Sequence, residues 1–93
     1  MAKFTVRIEL RDAEREDYSV LYEGMAEQGF TDTIINSEGT AYKLPDAEYN
    51  YQGNLTREEV LAKAQVAANE TGLKYSVLVT ESAGRTWHNL RRA

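Results

Sequence analysis

Polar and apolar side chains alternate without a break from Lys3 to Leu10, and this pattern constrains the fold more than any other feature. Strict alternation is typical of a β-strand with one buried face and one face open to water. The apolar set is Phe4, Val6, Ile8 and Leu10, and the polar set is Lys3, Thr5, Arg7 and Glu9. We therefore expect a sheet whose apolar side is covered by helices and whose other side is open.

Two helices are predicted by apolar periodicity and by their end signals. After Asp12, a plausible N-cap, apolar residues recur at the spacing of one helical face until Gly29 ends the helix; they are Tyr18, Leu21, Tyr22 and Met25. In the second helix Thr56 and Glu59 have the spacing of a capping box, and Gly72 ends the helix. Small apolar residues on this second helix would let it lie close to a sheet.

Further β-prone segments surround these helices, and the two halves of the chain repeat the same order of elements. The segments are Thr33–Asn36, Thr40–Leu44, Ala47–Tyr51, Lys74–Glu81 and a short final strand at Arg85–Leu90. Each half reads strand, helix, glycine, strand, serine-containing turn and strand. We therefore predict one α+β domain over residues 1–93. Its expected fold is a ferredoxin-like β-α-β-β-α-β antiparallel sheet, with both helices on one face and an extra C-terminal hairpin strand.

Composition excludes several protein classes. The chain has 93 residues and no cysteine, which fits one small domain and excludes a disulfide scaffold and a zinc–cysteine site. No apolar run exceeds three residues, so we expect no membrane segment and no signal peptide, and we predict a cytoplasmic protein.

The formal net charge of −4 is unevenly distributed along the chain. Residues 1–15 have a net charge of +1, residues 16–81 of −8 and residues 82–93 of +3. An acidic body repels nucleic acid at long range, but a basic end can still bind it locally. The alternative is that the basic end is only a solvated tail.

The basic end contains the most suggestive group of side chains. Arg85, His88, Arg91 and Arg92 lie within eight residues and flank Trp87. Together they could clamp a phosphate and stack a base. The same residues could instead guard a sheet edge or form a dimer seam. His88 is the only histidine, so it is either the general base of a reaction or a surface residue.

Residues of the predicted sheet could add to an RNA-binding surface. Arg7 and Glu9 lie on the polar side of the first strand, where they could contact RNA or form a simple cross-strand charge pattern. Tyr49 and Tyr51 would stack on single-stranded RNA if they were exposed, or belong to the core if they face the helices. Asp12 has no second acid at matching geometry, so we predict no metal ion and no other cofactor.

Segments along nearly the whole chain resemble the GhoS family, the antitoxins of type V toxin–antitoxin systems. The resemblance is carried by Phe4–Leu10, Gly29–Thr31, Glu38–Pro45 and Tyr75–Val79. It implies a ferredoxin-like fold and a metal-independent endoribonuclease that cleaves the messenger of a membrane toxin. On that hypothesis Arg7 and Arg85 would neutralise phosphate, and His88 or a tyrosine would move protons at the ribose 2′-hydroxyl.

A second hypothesis is a non-catalytic module of a mobile element, with an accessory or inhibitory role. Such a module would use its acidic surface or its final hairpin against a protein partner. A homodimer through a sheet edge is also expected, with the final strand around Trp87 and Leu90 as the contact.

Overall fold

The computed structural model describes residues 1–93 and confirms the α+β class and the predicted order of elements as far as the fifth strand. The elements are β1 (Ala2–Leu10), α1 (Arg15–Glu27), β2 (Thr33–Ile35), β3 (Ala41–Lys43), β4 (Glu48–Gly53), α2 (Arg57–Asn69) and β5 (Tyr75–Glu81). None of the helices has the length and apolar character needed to cross a membrane.

β1 is the central strand of the main sheet and pairs antiparallel with β4 on one side and β5 on the other. β2 and β3 form a separate two-stranded hairpin. Just before β2, Thr31 forms an antiparallel bridge to Asn50 of β4, with reciprocal backbone hydrogen bonds of 3.0 and 2.7 Å. The first half of the chain thus reaches the free edge of β4, which is the strand order of a ferredoxin-like fold.

The alternation along β1 is confirmed, and it determines where the core lies. Phe4, Val6, Ile8 and Leu10 are at most 5% exposed, whereas Lys3, Arg7 and Glu9 are exposed. The two helices cover the apolar side, where Leu21 and Met25 of α1 are fully buried, together with Ala64, Ala67 and Ala68 of α2. The opposite side of the sheet is the open face.

The start of α1 differs from the prediction, because Asp12 does not cap the helix. Asp12 has a φ of 54° and belongs to the turn after β1. Glu14 is the N-cap, and the Asp17 carboxylate accepts a hydrogen bond of 2.8 Å from the Glu14 backbone N–H. In a capping box the N-cap residue and the residue three positions later exchange hydrogen bonds. Asp17 is three positions after Glu14, whereas Asp12 lies too far before the helix for this exchange. The predicted end is confirmed at Gly29, whose φ is 90°.

The capping box of α2 is confirmed. The Thr56 hydroxyl accepts from the Glu59 N–H at 3.1 Å, and the Glu59 carboxylate accepts from the Thr56 N–H at 2.9 Å. The two helices approach closely at Gly24 of α1, where an added Cβ would lie 3.1 Å from the Ala67 Cβ of α2. Small residues on both helices permit this packing.

The short final strand expected at Arg85–Leu90 does not form. Asn89 has a φ of 60°, which breaks an extended path. Strand-like pairing occurs later instead, where the Lys43 N–H donates to the Arg91 carbonyl at 2.8 Å and the Ala93 N–H donates to the Ala41 carbonyl at 3.1 Å. The end of the chain therefore pairs with β3 rather than returning beside β5.

Candidate nucleic-acid interface

Residues 82–93, here called the C-terminal tail, connect the end of β5 to the β2–β3 hairpin. The tail begins at Ser82, whose backbone N–H donates to the Lys3 carbonyl at 2.8 Å. The Ser82 hydroxyl then accepts from the Gly84 N–H at 3.2 Å and stabilises a turn. Because β5 and β3 belong to different sheets, the tail brings residues from the two sheets together.

Arg85 is held over the open face by two neutral acceptors. Its guanidinium donates to the Thr5 hydroxyl at 3.2 Å and to the Asn50 side-chain carbonyl oxygen at 2.9 Å. Thr5 and Asn50 are directly opposite each other on β1 and β4, so both point to the same side of the sheet. The register of β1 and β4 therefore places the two acceptors that hold Arg85 side by side.

The charge of Arg85 is partly removed from water and is not balanced by a carboxylate. Burial lowers the pKa of its guanidinium, although an arginine remains charged at neutral pH. Both of its hydrogen-bond partners are uncharged. A half-buried cation with neutral partners and remaining N–H donors is well suited to bind an anion such as phosphate.

Arg7 lies on the same open face as Thr5 and Asn50, the residues that hold Arg85. It is two residues beyond Thr5 on β1, which places it about 7 Å further along the strand. Its cross-strand neighbours are Glu48 and Leu78. The two ion pairs of the structure, Arg11–Glu9 and Lys43–Asp32, do not include Arg7. The exposed Arg7 guanidinium is therefore free to contact a ligand.

Trp87 anchors the tail against the hairpin. Its ring centroid lies 5.5 Å from that of Tyr42, with an angle of 56° between the planes, and it is half-buried. It also borders a shallow groove shared with Ile35 and Arg85. Part of its surface thus serves to hold the tail, and the rest is available beside the arginine.

The other predicted site residues of the tail are exposed and form few contacts with the rest of the protein. Arg91 and Arg92 are exposed, and Arg92 is positioned by its backbone bridge to Tyr42. His88 is exposed, and its side chain takes part in no hydrogen bond or ion pair. The structure therefore brings Arg7, Arg85 and Trp87 to one side and leaves the His88 imidazole without an orienting partner.

Tyr49 and Tyr51 are on the helix-facing side of the sheet, which is the core alternative. They lie opposite Val6 and Phe4, and Tyr49 is only 5% exposed. The Tyr51 ring packs 5.1 Å from the ring of Phe30, centroid to centroid. The predicted stacking of these tyrosines on RNA at the open face is therefore not possible, because strand alternation turns them toward the helices.

Two residues of this interface were missed by sequence reasoning. Thr5 and Asn50 hold Arg85, although neither belongs to a recognisable motif. Alternation along the strand could have indicated the position of Asn50. It lies between Tyr49 and Tyr51, so if these two tyrosines face the core, Asn50 must face the opposite side of the sheet. Arg85, which donates to these acceptors, is 35 residues away from Asn50 in the chain. No local sequence pattern indicates that the two residues are in contact.

No model of a known protein family matches the chain, and no curated protein matches its sequence closely enough to count as a relative. The observed fold alone does not assign an activity, because ferredoxin-like domains carry many unrelated functions. A function for this protein therefore has to be inferred from the residues of the open face and the tail.

Proposed function

We propose that the protein binds single-stranded RNA on its open face and cleaves it, as an antitoxin-type endoribonuclease. The observation that carries this proposal is the position of Arg85 over Thr5 and Asn50, with the unpaired Arg7 further along β1. Two guanidinium groups on one open sheet can bind neighbouring phosphates of an extended strand.

The remaining polar groups of this face suit RNA better than a phosphate alone. Thr5, Asn50, Gln52 and Thr80 share the face with the arginines, as the strand register shows. Their hydroxyl and amide groups can exchange hydrogen bonds with base edges and with the ribose 2′-hydroxyl. Trp87 adds an aromatic surface at the end of the same face.

The distribution of charge supports binding on this side of the molecule. Exposed acidic residues are numerous on the two helices, which lie on the opposite side of the sheet; they are Glu16, Glu23, Glu27, Glu58 and Glu59. On the open face, Glu9 is already paired with Arg11 at 3.2 Å, and Glu48 lies opposite Arg7. Long-range repulsion from the helices would direct an RNA strand to the basic tail and the sheet.

The proposed cleavage needs no metal ion. A base removes the proton of a ribose 2′-hydroxyl, whose oxygen attacks the adjacent phosphorus and forms a 2′,3′-cyclic phosphate. The bond to the 5′-oxygen breaks, and that oxygen takes up a proton to leave as a hydroxyl. His88 is the only histidine of the chain, the residue type used most often as a general acid and base, and bound RNA would have to orient it.

The test is incubation of the purified protein with total RNA in EDTA, beside Arg7→Ala, Arg85→Ala and His88→Ala. We expect the parent to generate fragments with cyclic phosphate ends, and His88→Ala to cleave at least about 100-fold more slowly. Arg57→Ala is the matched control, because Arg57 is exposed at the start of α2 on the other side of the sheet. Undiminished cleavage by His88→Ala and Arg7→Ala would reject the assigned roles of those residues.

A second candidate function is supported by the outer surfaces of the helices. Val20, Tyr22 and Val66 are between 41 and 50% exposed there, among acidic side chains. The outer edge of β5 also lacks a partner strand. A non-catalytic module that binds a protein partner, or a second copy of itself, would use these surfaces. Absence of RNA cleavage with and without added metal would favour this function.

A further inference from the structure

Two adjoining grooves lie where the C-terminal tail passes the β2–β3 hairpin. One, of about 210 Å³, is lined by β2 and the start of the tail, and the other, of about 340 Å³, is lined by the hairpin turn and the tail. Ile35, Arg85 and Trp87 line both, so the two grooves meet at these side chains. The larger volume alone is at the lower end of the range of small-molecule sites, roughly 300–1,000 Å³. The pair is here called the tail groove.

The tail groove contains cations and no carboxylate, although the protein as a whole is acidic. Its only charged residues are Lys3 and Arg85, whereas the net charge of the chain is −4. Glu81, which directly precedes the tail, lies opposite Phe4 and therefore faces the helix side of the sheet. Lys3 belongs to neither of the two ion pairs. The tail groove therefore attracts anions.

Arg85 presents unused hydrogen-bond donors beside this groove. Its hydrogen bonds to Thr5 and Asn50 both leave from the same nitrogen, Nη1. The N–H groups on Nη2 and Nε have no acceptor in the protein, while the two bonds at Nη1 hold the guanidinium in place. Lys3 is two residues before Thr5 on the same side of β1, and it lines the same groove as Arg85. One phosphate group can thus interact with both cations.

Apolar side chains form the remaining walls of the tail groove. Ile35 is 64% exposed, which is unusual for a large aliphatic residue in a strand. Tyr42 packs against part of the Trp87 ring, and the rest of that ring borders the groove. An indole beside an exposed aliphatic side chain is a suitable surface for a planar nucleobase.

Asn36 adds a fixed polar group at the hairpin end of the groove. Its side-chain oxygen accepts hydrogen bonds from the backbone N–H groups of Glu38 at 3.0 Å and Thr40 at 2.9 Å. These bonds orient the amide, and its NH₂ group has no acceptor in the protein although the residue lines the groove. An NH₂ group can only donate, so it favours a base that presents a carbonyl oxygen, such as uracil, over the exocyclic amine of adenine.

We propose that the tail groove binds a single nucleotide whose base presents a carbonyl oxygen. The phosphate interacts with Arg85 and Lys3, the base packs on Trp87 and Ile35, and the carbonyl accepts from Asn36. The proposal rests on the proposed function in taking an RNA nucleotide as the ligand, and it adds a preference for one class of base. Binding of a free nucleotide requires no cleavage, so the two can be tested separately.

The experiment titrates the protein with uridine 5′-monophosphate, adenosine 5′-monophosphate, uridine and inorganic phosphate. Trp87 is the only tryptophan, so its fluorescence reports stacking of a base, and backbone amide shifts locate the site. We expect uridine monophosphate to quench Trp87, to shift residues 34–37 and 82–87, and to bind at least about threefold more tightly than the other three ligands. Lack of uridine monophosphate binding at millimolar concentration would overturn the proposal, as would equally tight binding of inorganic phosphate.

A lysine pair tests the phosphate contact. Lys3→Ala should weaken the binding of uridine monophosphate about three- to tenfold. Lys74→Ala removes the same charge from an exposed position outside the groove and should bind as the parent does. Equal weakening in the two variants would show non-specific attraction and overturn the site.

A substitution at Asn36 tests the base contact. Asn36→Asp keeps an acceptor for the N–H groups of Glu38 and Thr40 but loses the NH₂ donor. The added negative charge weakens both nucleotides alike, so the ratio of their affinities is the measure. We expect the preference for uridine over adenosine monophosphate to disappear, and an unchanged ratio would contradict the assigned base contact.

The outcome for nucleotide binding is independent of the outcome for RNA cleavage. Binding of uridine monophosphate by a protein that cleaves no RNA would support the tail groove and reject the endoribonuclease. Cleavage of RNA by a protein that does not bind uridine monophosphate would reject the tail groove and leave the endoribonuclease in place.

Discussion

The Arg85 guanidinium donates to the Asn50 side-chain oxygen at 2.9 Å and thereby joins the C-terminal tail to the centre of the open face. Asn50 also pairs through its backbone with Thr31. One residue of β4 thus contacts both the segment that precedes the hairpin and the tail that returns to it. The RNA interface proposed above depends on this arrangement, because it orients Arg85 before any ligand arrives.

Removal of the Asn50 side chain is expected to loosen the tail. In Asn50→Ala the Arg85 guanidinium keeps only the Thr5 hydroxyl as an acceptor. The amides of Lys43 and Ala93, which form the hydrogen bonds between β3 and the tail, should then exchange with solvent several-fold faster. Gln52→Ala on the same strand and face is the control, and equal exchange rates in the two variants would contradict this role of Asn50.

The salt dependence of RNA binding should report the two arginines. Each lost phosphate contact to a single strand reduces the slope of log K against log salt by about 0.7. We expect that reduction in Arg7→Ala and in Arg85→Ala, measured with a fluorescent oligonucleotide by anisotropy, but not in Arg57→Ala. An unchanged slope in Arg7→Ala would remove this residue from the interface.

Enlargement of Gly24 is expected to destabilise the protein. An added Cβ would approach the Ala67 Cβ to 3.1 Å and the Ala67 Cα to 3.3 Å, so the helices would have to separate. Gly24→Val should therefore lower the free energy of unfolding by about 1–3 kcal/mol, measured by urea denaturation. Gly84→Val is the control, since a Cβ at Gly84 meets no atom within 4 Å, and a similar loss there would contradict the packing argument.

Stability at alkaline pH should depend on Tyr49. Burial raises its pKa in the folded state to about 12, whereas a tyrosine of the unfolded chain titrates near its ordinary value of 10.0. The stabilisation is therefore complete below pH 10 and is lost as the pH rises toward 12, because only the unfolded chain releases the proton easily.

Between pH 10 and pH 12 the parent should therefore lose unfolding free energy relative to Tyr49→Phe. The loss should be at most about 3 kcal/mol. Urea denaturation at several pH values measures it. Tyr22→Phe removes an exposed phenol and serves as the control. Parallel pH curves for the parent and Tyr49→Phe would show that the environment of Tyr49 does not raise its pKa in solution.

Local sequence patterns were sufficient for the elements and for the side of the sheet that is buried. The alternation in β1 and the Thr56–Glu59 capping box depend on contacts within a few residues, so their outcome can be read from spacing. The cap of α1 was mistaken by two residues. Several acidic side chains near the start of that helix have similar propensities for the N-cap position. Only the turn at Asp12 determines that Glu14 occupies it.

The path of the C-terminal tail and the candidate RNA interface were decided by tertiary structure alone. Arg85 finds its acceptors on β1 and β4, and Lys43 of β3 finds the Arg91 carbonyl, across dozens of residues. Periodicity assigns a side chain to a face, but it holds no information on which distant segment covers that face. That choice is made by the packing energy of the whole domain.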